Sequence, residues 1–349
     1  MDFKIGKIKF SEKNVVIIAE AGVNHLGKLE YAEKLIKSAA KAGADIIKFQ
    51  TYKAKKLTTR NAPRFWNWKG EKVKKGSQFD SYAELDSFEL EDYRILKKMC
   101  DKYGIEFLST PFDEESVDIL LKVGIKGFKI ASCDITNYPL IKYISKKKLP
   151  ILLSTGASDL KEIKTAVDII TKYTKKLCIM QCTLCYPTKY EHSNLLAIKT
   201  IKKKFPNFII GLSDHTLGTI VSSSSVLLGS RVIEKHFTID KNLPKSADHW
   251  LSIDPAELKK LVEDVSILRK SLGTGLKKCL KCETVAKMNA RRSIVILKDM
   301  NKGDILKNSS LILKRPGTGL PAGMISKVIG KKLKKDMKAD EILSLKHLK

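Results

Sequence analysis

The sequence predicts a (β/α)8 barrel followed by a small β-rich domain. Short, apolar, β-branched runs alternate with amphipathic helical stretches eight times over about 255 residues, the usual span of such a barrel. Nearly every apolar run ends in a polar or charged residue. The rhythm stops near residue 273, and from residue 290 the chain reads as short β segments separated by turns.

Strand 15–22 (VVIIAEAG) opens the series, and helix 28–42 follows with Leu29, Ala32, Leu35, Ile36 and Ala39 on one side. Strand 44–51 (ADIIKFQT) leads into a polar segment, 52–87, that carries Trp66 and Trp68 and is too long for a simple connection; it reads as a functional loop. The remaining units are helix 90–103 and strand 105–112, helix 114–123 and strand 127–132, helix 138–147 and strand 150–155. Then come helix 160–173 and strand 177–183, helix 195–204 and strand 208–214, helix 218–228 and strand 231–238, and the closing helix 255–272. Runs this apolar suit parallel strands buried on both faces. An open doubly wound sheet would need fewer units and a Gly-rich phosphate turn after its first strand; here that turn is EAGVNHLG. The domains are therefore expected at 1–272 (barrel), 273–289 (linker) and 290–349 (β-rich domain), the last too small to bury a substantial core alone.

Hydrophobic content of 43% supplies ample core. There is no run of 18 apolar residues and no signal-peptide stretch in MDFKIGKIKFSEKN, so a soluble, cytoplasmic protein with no membrane partner is expected. The net charge of +28 comes almost entirely from Lys spread along the chain, with only eight Arg. A nucleic-acid face would cluster its charge and interleave aromatics, so no nucleic-acid partner is expected. Seven cysteines include two CxxC spacings, Cys182/Cys185 and Cys279/Cys282. The first pair ends a strand rather than forming a zinc knuckle, so buried or incidental thiols are expected.

The strand ends carry the chemistry. They hold Glu20; Lys48 with Gln50; Ser109 and Thr110; Lys129 with Ser132; Ser154 and Thr155; Thr183; Ser213 with His215; and Glu234 with His236. In a barrel of this kind the carboxyl ends of the strands form the active face. Lysines buried there need a partner, and with several Ser nearby a bound anion, most naturally a phosphate, supplies one. His215 and His236 end neighbouring strands, and two converging imidazoles suit a divalent metal with open positions. Glu20 reads as a general base, a partner of metal-bound water, or the counter-charge of a lysine.

These residues lie in motifs that run in order along almost the whole chain: IIAEAGVNHLG (17–27), IIKFQT (46–51), LSTPFD (108–113), FKIASCDITNYPLI (128–141), LSTGAS (153–158), QCTLCYPT (181–188), GLSDHTLG (211–218), VIEKHFTIDKNLPKSADHWLS (232–252) and KRPGTG (314–319). In this order and spacing the chain resembles the sialic acid synthase family, which includes N-acetylneuraminate, legionaminate and pseudaminate synthases. The resemblance implies a barrel followed by an antifreeze-like (SAF) domain, in a homodimer whose swapped SAF domain covers the partner's barrel. It implies a phosphoenolpyruvate pocket made of Lys48, Thr110, Lys129, Ser132, Ser154 and Ser213, and a divalent metal, usually Mn2+, on His215 and His236. It implies an N-acetylated hexose acceptor held by Gln50, Asp134, Tyr186 and Asp248, with Arg315 from the other subunit. The catalytic set is then Glu20, Lys48, Lys129, His215 and His236. Asp134 stands where many N-acetylneuraminate synthases carry Glu, Leu184 stands where a polar residue often helps hold the phosphate, and 240–248 is one residue longer than in some relatives.

The implied reaction joins phosphoenolpyruvate to N-acetylmannosamine or a 2,4-diacetamido-trideoxyhexose, giving a nine-carbon 2-keto sugar acid and phosphate. Two other readings exist. A phosphoenolpyruvate-dependent synthase acting on a phosphorylated aldose would want more Arg at the rim. A non-catalytic carbohydrate-binding protein would not need the lysines and histidines.

Overall fold

The computed structural model describes residues 2–64, 66, 76–243 and 248–349; Trp68 and residues 244–247, which fall within segments singled out above, lie outside the described residues. The chain divides into two compact units, Met1–Gly273 and Thr274–Lys349.

The first unit opens with a hairpin not expected from the sequence, β1 (Phe3–Ile5) and β2 (Ile8–Phe10), paired antiparallel about Gly6. Phe3, Ile5 and Phe10 join the barrel core. Ile5 packs on Gly127, at the amino end of the β6 strand named below, so the hairpin closes the floor of the barrel. Eight parallel strands follow: β3 (Val16–Gly22), β4 (Ile46–Thr51), β5 (Glu106–Pro111), β6 (Phe128–Ile130), β7 (Ile151–Ser154), β8 (Leu177–Cys182), β9 (Ile209–Asp214) and β10 (Val232–His236). Their hydrogen-bonded order is β5-β4-β3-β10-β9-β8-β7-β6, and β5 and β6 lie side by side, bringing the sheet round on itself. Each expected strand and helix is present with its ends within about two residues of expectation, except that 218–228 is an α-turn (Ile220–Ser224) continued as a 3-10 helix (Ser225–Leu228). Among its described residues, segment 52–87 contains two short helices, Ala54–Leu57 and Gln78–Ala83.

The local causes are ordinary. Helix Leu29–Ala42 buries Ala32, Leu35, Ile36, Ala39 and Ala42 and stops at Gly43, whose left-handed φ of 91° suits glycine. Helices Leu160–Thr171 and Pro255–Ser271 start with capping boxes on Asp159 and Asp254. In the strands, alternation sends successive side chains to opposite faces. In β10, Glu234 and His236 face the barrel interior, while Lys235 faces the surrounding helices.

In the second unit, β11 (Ser293–Ile296) pairs antiparallel with β12 (Leu311–Lys314) over a core that includes Ile294, Ile296, Leu306, Leu333 and Leu343. Residues 273–289, read in the sequence as a linker, include a 3-10 turn (Lys281–Glu283) and most of helix Thr284–Ala290. Leu276, Leu280, Val285 and Met288 there are exposed. Among the described residues no helix is long and apolar enough to cross a membrane.

Candidate active site

Four charged side chains from four strands meet inside the barrel at the carboxyl ends. Lys48 Nζ lies 2.6 Å from Glu20 Oε2, 3.0 Å from Thr110 Oγ1 and 3.8 Å from Glu234 Oε2. Lys129 Nζ lies 3.4 Å from Glu234 Oε1, which also accepts a 3.0 Å hydrogen bond from Ser213. All four charged residues are buried. The lysines are thus neutralised by the protein's own glutamates, not only by a bound anion as the sequence argument had it. Glu234, noted at a strand end without a role, is the hub. Its spacing of two from His236 was the signal, because residues i and i+2 of a strand share a face.

The two glutamates titrate apart. Burial pushes Glu20 up to about 7, with the Glu234 charge adding to the rise and Lys48 opposing it. Burial also acts to raise Glu234, but Lys129, Lys48 and the Ser213 hydroxyl outweigh it and hold Glu234 below the usual carboxylate range. Two carboxyls whose surroundings separate their titrations are the usual arrangement of a proton-transfer site. Glu20 is set by a bulge at the end of β3: the ladder to β4 shifts between Glu20 and Gly22, and Gly22 sits at φ +51°. The left-handed φ at Gly22 suits glycine, and the neighbouring Gln50 Nε2 donates to Glu20 Oε1 at 3.3 Å.

Hydroxyls ring this cluster. Thr110, Ser132, Ser154 and Ser213 are all buried, and Ser154 Oγ has no hydrogen-bond partner among the described residues. Ser132 Oγ accepts from the Gly156 backbone at 2.9 Å. An orphaned buried donor beside two lysines is what an anion site presents.

His215 and His236 stand next to this cluster, ring centroids 5.5 Å apart, with Tyr186 stacked on His215 at 4.2 Å. His215 Nδ1 is 2.9 Å from the Thr183 carbonyl, which orients the ring and leaves Nε2 as the outward nitrogen. Burial works against the charged form of His215, but Cys182 and the Thr183 carbonyl raise it overall. His236 Nδ1 is buried with no hydrogen bond among the described residues, 3.6 Å from Asp248 Oδ2. Burial and the neighbouring His215 hold His236 well below its usual value, hence neutral. One orphaned imidazole nitrogen and one oriented by a carbonyl fit a divalent cation that completes its coordination with water and substrate. Among the described residues no group of three or more His, Cys, Asp or Glu converges as a full ligand set. All seven cysteines are free; Cys182 is buried beside His215 and Cys185 is exposed.

Above lies a cavity of about 350 Å3. Gln50, Ser132, Asp134, Tyr186, His236 and Asp248 give it a polar side, and burial pushes Asp248 up to about 6 and raises Asp134. Leu57, Trp66, Tyr82, Leu85, Phe112 and Leu184 form an apolar wall. Most of that wall comes from segment 52–87, whose side chains carried no motif. No Lys or Arg lines the cavity among the described residues. The structure therefore brings together Glu20, Lys48, Gln50, Thr110, Lys129, Ser132, Asp134, Ser154, Tyr186, Ser213, His215, His236 and Asp248. Arg315 belongs to the second unit, where it is exposed just after β12.

A closed parallel barrel with a lysine–glutamate cluster and two histidines at its carboxyl rim defines a barrel enzyme. Residues 35–277 match the NeuB family and residues 291–349 match the SAF domain. The chain is 39% identical to N,N'-diacetyllegionaminic acid synthase of Legionella pneumophila, over 98% of this chain and 97% of that one. It is 40% identical to N,N'-diacetyllegionaminic acid synthase of Campylobacter jejuni, over 95% and 99%. Among solved structures, N-acetylneuraminic acid synthetase of Leptospira borgpetersenii, in complex with citrate, superposes with a TM-score of 0.73 at 35% identity, covering 82% of this chain and 95% of that one. The chain belongs to the NeuB family, is an enzyme of that family, and carries a SAF domain at residues 291–349.

Proposed function

We propose that the chain condenses phosphoenolpyruvate with a neutral N-acetylated hexose of the 2,4-diacetamido-trideoxy kind, giving a nine-carbon 2-keto sugar acid and phosphate. The observation that carries this reading is the division of the site: lysines and hydroxyls at the bottom for an anion, and above them a cavity with an apolar wall that, among the described residues of this chain, has no Lys or Arg in its lining. A phosphorylated acceptor would find no cation among those lining residues to compensate its phosphate. Deoxy and N-acyl methyl groups suit Leu57, Tyr82, Leu85 and Phe112. The two legionaminic acid synthases, similar over nearly their whole length, support the same acceptor class.

In this reading Lys48 and Lys129, with Thr110, Ser132, Ser154 and Ser213, hold the phosphate and carboxylate of phosphoenolpyruvate. Fixed charges in a dry site are worth more there than in water. Its methylene carbon attacks the aldehyde carbon of the open-chain hexose, which Gln50, Asp134, Tyr186 and Asp248 orient. Water adds at C2, Glu20 takes its proton, and phosphate leaves with the C–O bond broken. Mn2+ held by His215 and His236 would supply Lewis acidity toward the aldehyde oxygen. The test is incubation with phosphoenolpyruvate, Mn2+ and a panel of N-acetylated hexoses and phosphorylated aldoses, with products identified by mass. A nine-carbon acid from the neutral diacetamido sugar is expected; product from a phosphorylated aldose alone would overturn the reading.

The same proposal includes a homodimer in which the SAF domain of one subunit covers the other's barrel, with Arg315 on the acceptor's N-acyl end. The small SAF core and the exposed Leu276, Leu280, Val285 and Met288 support it, since such a strip calls for cover. Mixing inactive Arg315→Ala with inactive Lys129→Ala should then regenerate about a quarter of the sites once subunits exchange, because half the dimers are mixed and one site in each carries neither lesion. No recovery despite demonstrated exchange would place Arg315 in cis or outside the site.

A further inference from the structure

Behind the two histidines lies a second buried charge cluster. Asp214 and Lys235 are paired in the β9–β10 ladder, and each directly precedes a candidate metal residue, His215 and His236 respectively. Because side chains alternate along a strand, this pair points away from the barrel interior. Lys235 Nζ lies 2.9 Å from Asp214 Oδ2 and also donates to the Thr216 carbonyl. Asp214 accepts from the Thr216 backbone at 2.8 Å, from Thr216 Oγ1 at 3.1 Å and from Ser222 Oγ at 2.5 Å. Both charged side chains are 1% exposed.

Burying an ion pair costs each ion its hydration, and an apolar pair of equal volume often stabilises a fold as well or better. What a hydrogen-bonded pair adds is a defined geometry. Asp214 closes the turn 214–216 from which His215 projects. Lys235 ties that turn, through Asp214 and Thr216, to β10 one residue before His236. Ser222 anchors the same carboxylate to the helix behind. A slip of either strand end would break several of these bonds at once.

We propose that the Asp214–Lys235 pair is a positioning pair, which holds the two histidine-bearing strand ends at the separation and orientation that lets His215 and His236 meet one divalent cation. This rests on the reading of those histidines as metal residues.

Mn2+ titration of the metal-free full-length protein, followed by calorimetry and by the electron paramagnetic resonance of the bound ion, tests it. Lys235→Met leaves Asp214 its three hydroxyl and amide donors. It should weaken Mn2+ binding roughly tenfold, the low end of what loss of a direct hydrogen-bond partner of a metal ligand costs, because the pair touches neither imidazole and acts through the strand ends. It should also alter the resonance line shape while leaving metal-free phosphoenolpyruvate binding unchanged. The double variant Asp214→Asn/Lys235→Met, which leaves no lone buried charge, should show the same selective loss and carries the test if the single variant does not fold. His215→Ala and His236→Ala, measured alongside, separate the two ideas. If they bind Mn2+ like wild type, the metal reading fails and the positioning proposal with it. If they lose Mn2+ while both pair variants stay within about twofold of wild type, the positioning proposal alone is overturned. A parallel loss of Mn2+ and phosphoenolpyruvate binding in the pair variants would mean general damage and would also overturn it.

Discussion

At the ends of β9 and β10, charges are buried on both faces of the sheet. On the inner face, Lys48 pairs with Glu20 and Glu234 and Lys129 with Glu234, Ser154 Oγ and His236 Nδ1 lack hydrogen-bond partners among the described residues, and one carboxyl is pushed up to about 7. On the outer face, Asp214 and Lys235 meet donors and acceptors on several sides. Both clusters are buried, so burial alone does not tell which is functional. Incomplete satisfaction does: an orphaned polar atom costs free energy that a ligand can return, whereas a completed network only fixes shape.

The largest expected effect comes from the open side of that contrast. Chelation should abolish turnover and Mn2+ should restore it. His215→Ala and His236→Ala should each lose metal and activity while retaining the thermal unfolding of a folded protein. Full turnover of metal-free protein in chelator would remove the metal from the account.

Acidity should act on the inner cluster through Glu20. Its proton is held to about 7, so the carboxylate, the form that accepts a proton from water, grows as pH rises through 7 and is lost below it. The pH–rate profile should therefore fall on the acid side with a midpoint near that value, and Glu20→Gln should lose that limb together with most of the rate. A limb that persists in Glu20→Gln belongs to another group.

The smallest expected effect is at the cavity's polar side. Asp134 lines the cavity and is held by Asn137 at 3.1 Å. Asp134→Glu should re-rank acceptors by roughly 1–3 kcal/mol, the usual worth of one methylene in a packed pocket. An unchanged ranking would make the residue a spectator.

Much of this was legible in the sequence, for definite reasons. Eight apolar runs separated by helices of period 3.6 left one sensible closure, and polar residues at strand ends could then converge only on one rim. That is why Glu20, Lys48, Lys129, His215 and His236 fell within the strand-end set; the resemblance singled them out from the other polar residues there. The hairpin Phe3–Phe10 was not foreseen, although Phe3, Ile5, Ile8 and Phe10 alternate with lysines about Gly6. Strands of three residues carry too little pattern to stand out. Glu234 was visible but without a role, because only the structure shows it bridging two lysines from separate strands. The apolar wall was hidden in segment 52–87, where position depends on the chain's path across the rim and not on periodicity. Lys235 and Asp214 carried no reading in the sequence, although they sit between the named strand-end residues, and only the alternation of faces separates them from the inner set.

Calorimetry of one anion on two variants tests the division between the clusters most directly. Phosphoenolpyruvate is titrated into metal-free wild type, Lys129→Ala and Lys235→Met. Lys129→Ala should weaken binding by roughly 2–3 kcal/mol, about 100-fold, because it removes one of the anion's two lysine partners in a desolvated site. Lys235→Met should bind like wild type. Equal affinity in Lys129→Ala, or an equal loss in Lys235→Met, would contradict the inner cluster as the seat of the anion.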